Sequence, residues 1–172
     1  MSPRRFLFLA PALLFLASPI IAQHDDKPAT QNAPDCGASD VEFDVKTRKG
    51  DHPAQPEPGK ALLYFIQDDS DFQKIPRPTT RLGMDGEWLG ATHANSYSYF
   101  SVNPGVHHLC ASWQPTDIDE GMAALHFTAE AGTTYYFRAR NRPTTITFEP
   151  IDSDEAQFLI SRFSLSTSHP RK

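Results

Sequence analysis

Between Lys60 and Phe148 the chain runs in short alternating stretches of apolar and polar residues, broken at clusters of Gly, Pro, Asn and Asp. A period of two sends successive side chains to opposite faces, the pattern of a strand with one buried side. The stretch from Ser98 to Arg140 organises the rest. Ser96 to Val102 climbs to Asn103-Pro104-Gly105, and Val106 to Trp113 leaves it. Proline fixes φ and glycine accepts the positive φ of a type II turn, so these two runs are expected to pair with each other. Ala61 to Ile66 is apolar on both faces, the mark of a strand covered on both sides. Thr79 to Met84 and Glu87 to Ala91 flank Asp85-Gly86, a strong short hairpin signal. Ala123 to Ala129, Thr133 to Ala139 and Thr144 to Phe148 complete the set. Short strands at this spacing predict a mainly β chain, an antiparallel sandwich of about seven to eight strands.

The period then changes. Asp152, with Glu155 three residues later, has the form of a helix N-cap. Ala156, Leu159, Ile160 and Phe163 follow at i, i+3, i+4 and i+7, one apolar face of a C-terminal amphipathic helix. Such a face must lie on something, and the outer side of Ala61–Ile66 is the expected seat. Residues 60–165 thus read as sandwich plus helix, and 166–172 as a tail. From Gln23 to Gly59 the chain is polar and proline-rich, too poor in apolar surface to offset its ordering entropy. One island differs: Val41, Phe43 and Val45 alternate with charged residues, and 41–46 reads as a strand.

The first 22 residues have a different character. Arg4-Arg5 precedes an apolar run from Phe6 to Ile21 that ends at the small residue Ala22, the layout of a secretory signal peptide. Ordinary Sec export fits its strongly apolar core better than the twin-arginine route that Arg4-Arg5 resembles. Removing these 22 residues leaves 150 and takes away two of the 16 basic residues and none of the 21 acidic ones, so the net charge moves from −5 to −7. An exported, mildly acidic domain in the periplasm or outside the cell is the expectation. Bulk charge excludes nucleic acid as a partner, and nothing after residue 22 reads as a membrane span. Both cysteines, Cys36 and Cys110, lie in the exported part and outside any CxxC pair, so a disulfide between them is expected.

The strings Gly59-Lys60-Ala61-Leu62-Leu63-Tyr64-Phe65, Val102-x-Pro104-Gly105-x-His107 and Ala131-Gly132-x-x-Tyr135-Tyr136, with the Asp-Gly hairpin and the closing helix, resemble a bacterial family known as domain of unknown function 2846. The resemblance spans Gly59 to Phe163. It implies an exported, immunoglobulin- or PEGA-like β-sandwich, often lipid-anchored, with no catalytic residues to carry over. The chain departs from that pattern because Cys36 follows Ala33-Pro34-Asp35, which is not a lipid-attachment motif. Gly132-Thr133-Thr134-Tyr135 is similar to the tyrosine corner of fibronectin-like sandwiches, in which a Tyr hydroxyl bonds nearby backbone.

Candidate chemistry is sparse. Adjacent His107 and His108 point to opposite strand faces, and with His93 and His126 they make no convergent ligand set. His107 shares a face with Leu109, Ala111 and Trp113, which suits a hydrogen-bonded boundary histidine. Asp117–Gly121 lacks the third oxygen ligand and the later Glu of a calcium loop, and Asp68-Asp69-Ser70-Asp71 is equally incomplete, so both read as solvated loop charge. There is no nucleophile elbow and no placeable carboxylate pair. No catalytic residue, metal ligand or cofactor is therefore assigned. Trp88, Tyr97, Tyr99 and Trp113, with Tyr136, form the candidate binding surface, able to stack on sugar rings or anchor a protein; core or edge packing is the other reading of the same residues. Arg138 and Arg140 share one strand face beside them and could attract anions. The leading reading is a non-catalytic sandwich that binds a protein or glycan partner in the cell envelope. A carbohydrate-binding or carbohydrate-degrading protein and a small hydrolase are the alternatives.

Overall fold

The structure, a computed structural model, describes residues 36–50, 54–72, 77–114 and 121–172. The leader read at residues 1–22 and most of the acidic loop at 117–121 lie outside them. The elements in order are β1 (Phe43–Arg48), β2 (Ala61–Gln67), β3 (Thr79–Met84), β4 (Glu87–Thr92), β5 (Ser96–Val102), β6 (Gly105–Gln114), β7 (Met122–Ala129), β8 (Thr134–Asn141), β9 (Ile146–Pro150), α1 (Ser153–Ile160) and β10 (Ser164–Pro170). They form a six-stranded sheet, ordered β1-β10-β5-β2-β8-β9, and a four-stranded sheet, ordered β4-β3-β6-β7. The described residues therefore make a mainly β two-sheet fold with ten strands instead of seven to eight. Two of its pairs, β2 with β8 and β10 with β5, are parallel.

β2 explains why the sheets stack as they do. Leu63 and Phe65 point inward to the core between the sheets, where Leu82, Leu109, Ala111, Trp113 and Phe137 meet them. Leu62, Tyr64 and Ile66 point outward and are covered by Ala156, Leu159 and Ile160 of α1. A strand apolar on both faces needs a layer on each, and the helix supplies the second. Asp152 caps that helix, its carboxylate accepting from Glu155 N at 2.8 Å. Phe163 lies past its end and packs against the same cluster.

At Asp85-Gly86 both residues take positive φ, 54° and 87°, and β3 and β4 pair across them as expected. The Asn103-Pro104-Gly105 turn does something else. β5 lies in the six-stranded sheet beside β2, whereas β6 lies in the other sheet between β3 and β7. The expected hairpin is an arch from one sheet to the other, because turn chemistry fixes the reversal but not which sheet receives the next strand. Tyr135 does make the bond of a tyrosine corner: its hydroxyl accepts from Glu130 N at 3.0 Å.

The chain end is also corrected. The stretch read as a tail, 166–172, is strand as far as Pro170: β10 pairs with β1 from Phe43↔Pro170 to Arg48↔Leu165. This pairing places the N-terminal island at 43–48, two residues later than read. β10 is rich in small polar residues, and its hydroxyls replace missing ladder bonds. Ser166 Oγ meets Ser96 Oγ at 2.6 Å, and Ser168 Oγ accepts from Ala91 N at 2.9 Å.

Candidate functional site

On the four-stranded sheet, alternation sends Leu82, Leu109 and Ala111 inward and leaves Arg81, Gly83, Cys110 and Ser112 on the outer face. The segment from Cys36 to Val41 crosses that face as a strap. It is fastened at one end by the Cys36–Cys110 disulfide, whose Cα atoms are 5.8 Å apart. Both sulfurs are buried. Gly83 makes the close approach possible, since a Cβ there would stand 2.3 Å from Cys36 O and 2.9 Å from Cys110 Sγ. Further along, Trp88 Nε1 donates to Ala38 O at 2.8 Å, and Arg81 Nη1 donates to Val41 O at 2.7 Å. At the far end Gln114 and Phe43 exchange two bonds through the Phe43 backbone, at 2.8 and 2.9 Å.

Strap and sheet enclose an open recess of about 580 Å³, walled by Arg81, Trp88, Ser112, Asp40 and Met122. Arg81 is its unusual member. The residue is 1% exposed, yet none of the ion pairs among the described residues includes it. Glu42, the acid that acts on it from a distance, is paired with Arg171. Burial lowers the pKa of Arg81, because a charge away from water is less well solvated. Trp88 covers one face of the guanidinium, with the central carbon 4.2 Å from the ring centroid. Nη2 has a long contact to Ser112 Oγ at 3.4 Å, and the buried Nε has no partner.

The residues singled out from the sequence do not gather on one surface. Trp88 lines the recess. Tyr99 is 37% exposed, but on the helix side of the other sheet, beside Tyr64 at 5.6 Å. Tyr97 is fully buried in that same outer cluster, and Trp113 is 6% exposed between the sheets. Trp113 Nε1 donates to Asn141 Oδ1 at 2.7 Å. Tyr97 and Trp113 are therefore core residues, not part of a binding face. Arg138 and Arg140 do not form a free anion strip either. Arg138 is held by Glu149 and Glu155, and Arg140 Nη2 bonds Asp68 Oδ2 at 3.0 Å.

Asp68 and Asp69 correct the reading of solvated loop charge, for both are buried. Asp69 Oδ2 accepts from Gln67 Nε2 at 2.7 Å and Asn141 Nδ2 at 3.1 Å. Burial nonetheless raises its pKa, outweighing those bonds. Burial pushes Asp68 up as well, but Ser70 and Arg140 outweigh it and leave its pKa lowered. Through Asn141, which also reaches Thr80 Oγ1 at 3.1 Å and Trp113, this network ties the two sheets together at one end of the sandwich.

His107 is bonded through both ring nitrogens. His107 Nδ1 lies 2.7 Å from Asp85 Oδ2 and its Nε2 2.7 Å from Asn103 O. Burial opposes its charge, but these two acceptors outweigh it and raise its pKa. His108 stands on the other face, 4.7 Å from the His126 ring, and burial followed by His126 lowers its pKa. Among the described residues no group of three or more His, Cys, Asp and Glu could hold a metal ion. No helix among them is long and apolar enough to cross a membrane.

Sequence reasoning missed Arg81 and the strap. A single arginine in Thr79-Thr80-Arg81-Leu82 reads as an ordinary polar-face residue, and only the strap buries it. No curated protein matches the chain. The family described as protein of unknown function (DUF2846) matches residues 57–149, ending before the helix, and because that stretch is more than half of the sequence the chain belongs to this family.

Proposed function

We propose that this is an exported, non-catalytic protein of the bacterial cell envelope or periplasm that acts by binding, with the recess beneath the strap as its site. The observation that carries the reading is the Arg81–Trp88 pair. A buried cation without a carboxylate and a stacked indole together line the same recess. Binding sites combine an apolar wall with a few convergent polar groups in this way. The paired cysteines suit an oxidising compartment, and the basic-then-apolar start of the sequence suits export. Binding is favoured over catalysis because the buried acids Asp68 and Asp69, and His107, are engaged in bonds that join strands and turns. Asp69 holds Gln67 and Asn141, and His107 holds Asp85 and Asn103.

A sugar-stacking platform loses its geometry, since Trp88 and Tyr99 lie on opposite outer faces and Tyr97 and Trp113 are buried. Capture of partners from envelope extract by the mature protein, compared with Trp88→Ala, tests the proposal. A partner retained by the wild type and lost by the variant supports it. Equal capture by both contradicts it.

A further inference from the structure

We propose that the recess recognises a carboxylate group, taken by the Nε–Nη2 edge of Arg81. The inference rests on the recess being the binding site and names the chemistry it selects. A guanidinium carries five N–H donors. Nη1 of Arg81 is spent on two strap carbonyls, Val41 O at 2.7 Å and Ser39 O at 3.4 Å. The Nε–Nη2 edge holds only the 3.4 Å contact to Ser112 Oγ, and Nε itself is buried and unpartnered. That edge presents two parallel donors, the spacing that a planar carboxylate fills with two oxygens. Buried charges are ordinarily paired, and this one is not.

The surroundings narrow the class. Asp40 lines the same recess, and three strap carbonyls, of Ala38, Ser39 and Val41, already face Trp88 and Arg81. A dianionic phosphate would meet this negative rim with one cation to hold it. A monoanionic carboxylate balances Arg81 one to one. The remaining wall is Trp88, the Cys36 disulfide and the half-exposed Met122, which suits an apolar group next to the carboxylate. Nε is enclosed, so binding requires the recess wall over it to move.

The acid can belong to a free small molecule or to the C-terminus of a chain, and the probes separate these. The side-chain Nε–H signal of Arg81 is followed by NMR while the mature protein is titrated with 3-phenylpropionate, with acetyl-Ala-Phe bearing a free C-terminus, with the carboxamide of each, and with inorganic phosphate. The expected result is a saturable shift with a free acid, weakened at least tenfold for its amide; the Trp88 indole N–H signal, which survives the Arg81→Met substitution, should shift with the acid in the wild type and not in that variant. Tighter binding of the dipeptide assigns a chain terminus, and tighter binding of phenylpropionate a free acid. No saturable shift, equal response to acid and amide, or phosphate binding as tightly as the acids overturns the proposal. Both amide comparisons use wild-type protein, so they hold even if Arg81→Met fails to fold. Failure of the probes alongside Trp88-dependent partner capture removes the carboxylate and leaves the binding site. Failure of both removes the site.

Discussion

Trp88 lies over Arg81, 4.2 Å from ring centroid to guanidinium carbon, while its own Nε1 bonds Ala38 O. One indole thus covers the buried cation and pins the strap above it. Replacing a buried charge by an apolar side chain of similar volume is often tolerated, so Arg81→Met is expected to keep the fold, with a Tm within a few degrees of wild type. The bonds to Ser39 O and Val41 O would be gone. Hydrogen exchange should then speed up at residues 38–41 and stay unchanged in β2 and β8. Faster exchange throughout the sandwich would show that Arg81 holds the core itself.

The disulfide closes a loop with a sequence separation of 74 and constrains the unfolded chain by on the order of 4 kcal/mol in the loop-entropy account. It is not the only fastening, because β1 pairs over six residues with β10. Cys36→Ser with Cys110→Ser is expected to fold, to become protease-sensitive before Val41, and to keep β1 protected. Limited proteolysis followed by mass spectrometry checks this. Cleavage that first appears within β1 or β10 would mean that the bridge holds the whole edge.

The helix offers a direct contrast of neighbouring positions. Leu159 is 8% exposed against the β2 face, whereas Phe158 is 59% exposed. Leu159→Ala should cost on the order of 2–4 kcal/mol and Phe158→Ala less than about 0.5 kcal/mol in urea unfolding. Equal effects would mean that the helix does not seal the outer face.

His107 and His108 should titrate in opposite directions. His107, bonded to Asp85 and Asn103, has a raised pKa; its stabilising effect is full below the unfolded value of about 6.5 and is lost as pH rises through the folded pKa. His108 has a lowered pKa, because of burial and of His126, and so works the other way: its neutral form is favoured, and stability rises with pH between the folded and unfolded values. NMR titration of the ring protons should place His107 above about 6.5 and His108 below it. Asp85→Asn should bring His107 down, and no change in that variant would remove the carboxylate as the cause.

What could be read from the sequence follows from what each signal encodes. The two-faced run Leu62–Ile66 required two covering layers, and the helical stripe at Ala156, Leu159 and Ile160 supplied one. Asp85-Gly86 specified a local hairpin, and a chain with two cysteines offered each a single partner. Asn103-Pro104-Gly105 specified a reversal, but destination is a long-range property, so the arch between sheets was hidden. β10 was hidden because serine hydroxyls, not apolar alternation, secure it. Asp68 and Asp69 read as solvated because acids usually are; their burial depends on Arg140 and Asn141, about 72 residues away. Trp113 shared a strand face with Leu109 and Ala111, which pointed inward, and Asn141 gives its indole nitrogen the buried partner it needs. The candidate site was the least legible part. Half of the Arg81–Trp88 joint is built by residues 36–41, which lie outside the stretch matched by the family.

The most direct test of the central claim is site-specific photo-crosslinking in the native host. A crosslinker is placed at Met122, 51% exposed on the wall of the recess, or at Tyr99, 37% exposed on the opposite outer face. The account predicts an adduct from position 122 that disappears when Trp88→Ala is added, and none of that identity from position 99. The same adduct from both positions, or an adduct from position 99 alone, would contradict it.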